Sequence, residues 1–164
     1  MRHFMNRFYL GVVIVLAAGC STAYAVGEAG AGPVAIIFDT DMGNDIDDAL
    51  ALGLIHALQT RGECRLLAVT LSKDNTWAGP FVDMVNTFYG RGEIPVGVVR
   101  SGVTPEYGSY LRQTLETKNP SGQTAFAYDI KKGEDAPDAV TVLLHALAGQ
   151  ADESVVMVQV GFFH

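Results

Sequence analysis

Five carboxylates fall within ten residues, Asp39-Thr40-Asp41-Met42-Gly43-Asn44-Asp45-Ile46-Asp47-Asp48, and the stretches on both sides are apolar. Before the acids comes Val34-Ala35-Ile36-Ile37-Phe38, with the length and composition of a buried strand. After them, Ala49 to Leu58 has the length of a buried helix. An acidic turn between such a strand and helix belongs in an α/β sheet, where turns at the carboxyl ends of strands bind ligands. Crowded carboxylates raise one another's pKa and protonate unless positive charge compensates them. A helix N-terminus supplies part of that charge, and a divalent cation would supply the rest. The motif offers only oxygen donors, with neither Cys nor His inside it, which favours a hard ion such as Ca²⁺ or Mg²⁺ over Zn²⁺. A solvated loop with one Asp capping the helix is the competing reading. It fits less well with a turn that leaves a buried strand directly.

The rest of the chain alternates in the same way. Cys64 to Leu71 reads as a second buried strand, followed by a loop from Ser72 to Gly79. Pro80 opens a helix that places Phe81, Val82, Val85, Phe88 and Tyr89 on one face and closes at Gly90. Ile94 to Val99 is a third strand, near a sheet edge because Pro95 cannot donate to a ladder. Residues 101–134 show no period and read as a lid or a partly disordered segment. Asp135 is expected to cap the next helix, with Asp138 three residues on and Val140, Leu143, Leu144 and Leu147 as its buried stripe. Val155 to Val160 is the fourth strand. The pattern predicts one α/β domain, doubly wound, with a mostly parallel sheet and helices on both faces. Strand order 3-2-1-4 puts the switch point between the first and fourth strands, where the acids and Val160 meet.

The first 25 residues stand apart. Arg2 and Arg7, the apolar run Leu10 to Ala18, and Ala23-Tyr24-Ala25 form the three regions of a signal peptide. Leu16-Ala17-Ala18-Gly19-Cys20 equally resembles a lipobox that would lipidate Cys20. Both readings predict export, to the periplasm or the medium in one case and to an envelope anchor in the other. The apolar run is too short to span a bilayer. Residues 26–33 read as a flexible lead-in, and their glycines precede the strand, so they are not a dinucleotide-binding loop. Loss of residues 1–25 removes two Arg and no acids, taking the formal net charge from −7 to −9. Such an acidic chain without a basic stripe is not expected to bind nucleic acid. It leaves Cys64 as the one thiol, read as a small core hydrophobe.

The run Asp-Thr-Asp-Met-Gly-Asn-Asp-Ile-Asp-Asp-Ala-Leu-Ala-Leu, residues 39–52, resembles the N-terminal signature of the inosine-uridine-preferring nucleoside hydrolases, whose usual form is D-x-D-P-G-x-D-D-A-x-A-L. Met42 stands in place of the Pro, and two extra residues separate Gly43 from the final Asp pair. Val-Gln-Val-Gly-Phe-Phe, residues 158–163, resembles the family's strand and G-x-x-T-N, with His164 where Thr is expected. The resemblance covers about residues 33–100 and 135–163. It implies that residues 34–164 are the N-terminal part of a nucleoside hydrolase-like, Rossmann-like domain. It further implies metal-dependent hydrolysis of the N-glycosidic bond of ribonucleosides, with Ca²⁺ as first-choice cofactor and Mg²⁺ as second.

On this resemblance Asp41 is the base that takes a proton from the attacking water. Asp41, Asp48 and the backbone carbonyl of Val160 would hold the metal, Asp47 and Asn75 the sugar, with Asn44 a further substrate-side candidate and Asp39 supporting the site. Which of Asp45, Asp47 and Asp48 grips the ion stays open, the last two being favoured because the helix starts beside them. Asn75 has an Asx-turn reading beside its binding role, and Asn44 a turn reading. Trp77 is expected to pack against the sheet end more readily than to stack on a base. His56 and His145 are expected to pack in core or surface. The implied partner is a small-molecule nucleoside, with a homo-oligomer among the expectations. Enzymes of this family are longer, their second half supplying another metal-binding Asp and the groups that protonate or hold the base, so residues 26–164 alone are expected to show no measurable hydrolysis. Two other classes stand beside this one. A haloacid dehalogenase-type phosphohydrolase would use Asp39 as nucleophile, although Met42-Gly43 is not its usual continuation, and a non-catalytic sugar- or nucleoside-binding module would bind without turnover.

Overall fold

Val34–Thr40 forms the central strand β1, buried at every residue after Val34. It leads through the acidic turn into helix α1, Asp47–Thr60. Strand β2 (Cys64–Leu71), helix α2 (Ala78–Phe88), strand β3 (Val96–Val98), the short helix α3 (Leu111–Leu115), helix α4 (Ala139–Ala148) and strand β4 (Val155–Gln159) follow. The computed structural model describes residues 32–100, 108 and 110–162. The signal-peptide and Cys20 readings, the lead-in up to residue 31, residues 101–107 of the expected lid, and residues 163–164 lie outside the described residues.

The four strands are parallel in the order β3-β2-β1-β4, as the alternation of strands and helices predicts. Register sets Asp39 beside Thr70 on one side and Gln159 on the other. Strand alternation fixes the layers. A Cβ on Gly97 would press into Ala139 and Val142 of α4, whereas the Val98 side chain meets Gly79 of α2. Neighbouring strand residues face opposite ways, so α4 covers one face and α2 the other. One core cluster joins Phe38 and Ile36 of β1, Leu52 and Ile55 of α1, and Phe81 and Val82 of α2. Cys64 is buried there, its Sγ donating to the Ile55 carbonyl, and burial pushes its thiol pKa up. Its role as a core hydrophobe holds.

Several boundaries and faces differ from expectation. α2 begins two residues ahead of Pro80, and Phe88 at its end is 70% exposed. Phe88 lines an apolar groove of about 490 Å³ between α1 and α2, together with Leu50, Leu54 and Phe126. β3 keeps only three of the six residues expected, and it lies at the edge, as Pro95 requires. Asp138, not Asp135, caps α4, its carboxylate accepting from the N–H groups of Val140 and Thr141. Asp135 instead ends a 3-10 turn over Gly133–Asp135 and accepts from the Lys132 N–H. The expected stripe of α4 is also out of phase: Val142 is buried, while Val140, Leu144 and Leu147 are exposed. Gly97 explains this, because the missing Cβ lets the Ala139–Val142 side settle on β3.

The aperiodic segment is ordered where it is described. Asp83 on α2 accepts from the N–H groups of Asp129 and Ile130. Arg100 donates to the carbonyls of Gly133, Glu134 and Ala136. Side-chain bonds to backbone hold these loops, and such bonds leave no periodic burial in the sequence. Among the described residues no helix is long and apolar enough to cross a membrane.

Candidate functional site

Thr40 joins the end of β1 to the start of α1. Its hydroxyl donates to Asp48 Oδ1 at 2.7 Å and accepts from the Met42 N–H at 3.1 Å. Gly43 makes the turn at φ +121°, where any Cβ would collide with Leu111; only glycine takes that conformation without strain. Asp47 is the first residue of α1, Ile46 stands at the N-cap without a side-chain bond, and Asp47 Oδ1 accepts from the Asp48 N–H at 3.0 Å. No Asp of the motif caps α1 from the N-cap position.

Carboxylate oxygens of Asp45, Asp47 and Asp48 all lie within 4.8 Å of one another. Their charges are strongly perturbed. Burial above all pushes Asp48 up to about 6, against the pull of the Thr40 hydrogen bond and with help from the charges of Asp41, Asp47 and Asp45. The hydrogen bond between Asp45 and Asp47 raises the first and lowers the second, as when a carboxyl donates to a carboxylate. Tyr110, at the start of α3, closes over the turn. Its hydroxyl donates to the Asp45 carbonyl at 2.7 Å, and burial with the surrounding acids holds its pKa at about 12.

Asp41 is not part of that three-acid group, although its charge raises both Asp48 and Asp45. Its Oδ2 accepts from Asn44 Nδ2 at 2.7 Å. Asn44 Oδ1 in turn accepts from Lys73 Nζ at 2.6 Å, and Lys73 is fully buried. Sequence reasoning passed over Lys73, Ser72 and Tyr110. A lysine at the end of a strand reads as a solvated side chain, and only the meeting of two loops buries it. Its position just beyond β2, at the same sheet end as five acids, was the available signal.

Asp39 belongs to the opposite face of β1 from Thr40. It is buried and accepts from Thr70 Oγ1 at 2.6 Å. β4 leaves the sheet over this point. The Val160 N–H donates to the Asp39 carbonyl at 2.9 Å and the Phe162 N–H to Ser72 Oγ at 3.0 Å. A Cβ on Gly161 would collide with Ser72 Oγ and lie 3.0 Å from Asp39 Oδ1, so a side chain there would push β4 away from the acids. Val160 thus sits at the sheet end beside the motif, with its own side chain half exposed.

Asn75 is buried, and its Oδ1 accepts from the N–H groups of Trp77 and Ala78 at 2.8 and 3.1 Å. That is the Asx-turn role, spent on starting α2. Trp77 is half buried with the Arg112 guanidinium 5.5 Å above its ring. His56 is a core residue: Nε2 donates to Asn86 Oδ1 at 2.8 Å, Nδ1 faces Arg91 Nη1 at 3.2 Å, and the ring stacks on Tyr89. Burial lowers its pKa. His145 lies exposed on α4.

Fold and site together define a small parallel α/β protein with an acidic cluster at the carboxyl end of its central strand. No protein-family model matches the chain and no curated protein matches it, so the functional reading rests on this geometry and on the resemblance of the acidic motif.

Proposed function

We propose that the acidic cluster holds a hard divalent cation, Ca²⁺ ahead of Mg²⁺, and binds the ribose of a nucleoside for hydrolysis of its N-glycosidic bond, in a nucleoside hydrolase-like fold. The observation that carries the cation is the convergence of Asp45, Asp47 and Asp48 at the switch point; the nucleoside and the bond cleaved rest on the resemblance of residues 39–52. Asp48 is buried in a place that disfavours its anion, a cost that bound positive charge would offset. The donors are all carboxylate oxygens, which fits a hard cation. From this cluster Asp48 would hold the cation; on the resemblance Asp41, which lies outside the cluster, and the Val160 carbonyl would join it, and Asp47 would face the sugar.

When bound, the cation supplies positive charge that orients sugar hydroxyls and acidifies water at the cluster. Asp41 Oδ2 is held by Asn44, which leaves Oδ1 to take the proton from the attacking water. The neighbouring carboxylates stabilise positive charge developing on the sugar. Asn75 has committed its carbonyl oxygen to α2, so a sugar contact from it runs through Nδ2. Asp39 supports the site from the far face of β1; its bond to Thr70 and the close pass of Gly161 leave a nucleophilic role without support.

Calcium binding and base release test the reading together. Wild-type protein should bind Ca²⁺ by calorimetry, and inosine or uridine should raise its melting temperature further in calcium. Asp41→Asn should abolish any release of free base. Absence of both calcium binding and nucleoside stabilisation would sink the proposal, while nucleoside binding without turnover in a chain of full family length would favour a binding module. We place the protein outside the cytoplasm on the pattern of residues 1–25. Mass spectrometry should find a mature N-terminus at Val26 or a lipidated Cys20, and an intact Met1 on cytoplasmic protein contradicts both.

A further inference from the structure

We propose that Lys73 is a positioning residue that fixes the orientation of Asp41 through Asn44. Lys73 comes from the end of β2 and has no solvent-exposed surface. A buried ammonium must be met by acceptors, and its Nζ donates to Asn44 Oδ1 at 2.6 Å. That bond settles which way the Asn44 amide points. Turned over, the amide would set its NH₂ against the ammonium and its oxygen against the Asp41 carboxylate, and both contacts would be repulsive. With Oδ1 taken by Lys73, Nδ2 donates to Asp41 Oδ2 at 2.7 Å. One carboxylate oxygen is thereby held, and Oδ1 takes no part in that bond. Asn44 itself is exposed on a turn, so without the lysine the amide keeps only its bond to Asp41, and the pair is free to swing together. Lys73 has the position of an outer partner that aims a functional carboxylate, a kind of contact whose loss typically weakens metal binding by about 10- to 100-fold. The functional meaning rests on the proposed role of Asp41, whereas the positioning itself does not.

The test therefore has one arm that needs neither metal nor substrate. In the NMR spectrum of the full chain, the Asn44 side-chain amide, assigned by its loss in Asn44→Ala, should be shifted and protected from solvent exchange. In Lys73→Met it should move to the shifts and exchange rate of an exposed Asn while the amides of β1 and β2 stay native. In the second arm, Lys73→Met and Asn44→Ala should each weaken Ca²⁺ affinity by about tenfold, and the double variant by no more than either alone. An unchanged Asn44 amide in folded Lys73→Met, or additive losses in the double variant, would overturn the proposal. Should Lys73→Met not fold, Asn44→Gln carries the test. Its longer side chain cannot keep both contacts, and wild-type calcium affinity there would also overturn it. A wild-type protein that binds no calcium, but whose Asn44 amide still depends on Lys73, removes the cation reading and leaves the positioning standing.

Discussion

Phe38→Ala is expected to cost about 3–5 kcal/mol of folding stability, the range for truncating a buried aromatic side chain. Total stabilities of domains lie near 5–15 kcal/mol, so the variant should approach or cross the unfolding threshold at room temperature. Phe38 is fully buried on the strand that has neighbours on both sides, paired to Val69 of β2 and Val158 of β4. It belongs to the core cluster with Leu52 and Ile55 of α1. The space left by its ring cannot collapse without moving β1 or α1, and those two elements meet at the acidic turn. Urea denaturation measures the loss. Phe88→Ala serves as the control: that ring is 70% exposed, and the change should stay within about 0.5 kcal/mol. A loss under about 1.5 kcal/mol for Phe38→Ala would mean that the core closes around β1 differently from the packing described here.

Phe38 and Phe88 also show what the sequence could and could not say. Phe38 sits in an unbroken apolar run just before a turn signal, and such runs mark central parallel strands. The same logic located β2 at its observed bounds and gave the sheet order, since alternating elements with right-handed crossovers leave few topologies. Phe88 and the α4 stripe failed for a shared reason. Both helices are apolar on more than one side, so periodicity shows that a face is buried without showing which one. For α4 the choice falls to Gly97 on another strand. The cap moved from Asp135 to Asp138 because both offer a carboxylate at plausible spacing, and the 3-10 turn decides between them.

At the site, the acids were legible because five of them interrupt apolar sequence, a pattern with few structural excuses. The side chains that bind the turn to its surroundings were not. Lys73, Tyr110 and Ser72 come from three places in the chain, and each looks ordinary until the loops converge. Asn75 was visible, but its two readings differ only in where one carbonyl oxygen points, and the oxygen points to α2.

The metal-free protein is expected to lose stability between pH 5 and 7, and the calcium-loaded protein to stay nearly level over the same range. Burial raises Asp48 from its ordinary value of 3.8 to about 6 in the folded chain. A raised folded pKa means that the folded state holds the proton more tightly than the unfolded state does. The associated stability is complete below the unfolded value and is lost as pH rises through about 6. Asp45, raised by its bond to Asp47, acts in the same direction, while the lowered Asp47 opposes it. In chelator, the melting temperature should therefore fall from pH 5 to pH 7. Calcium cancels this slope, because its ligands must be deprotonated to bind. At pH 5 roughly nine-tenths of Asp48 would be protonated, and apparent calcium affinity should be about tenfold weaker than at pH 7. At a calcium concentration about 100 times the dissociation constant at pH 7, binding contributes about 2.7 kcal/mol, and this is the contribution that shrinks on acidification. Asp48→Asn cannot ionise, so it should flatten the Asp48 part of the chelator slope and remove most of the calcium response. Thermal melts at pH 5, 6 and 7, each in chelator and in calcium, check all of this at once. Equal calcium stabilisation at pH 5 and pH 7 would show that any ion bound there is not held by Asp48. A chelator slope that survives unchanged in Asp48→Asn would place the titrating group elsewhere.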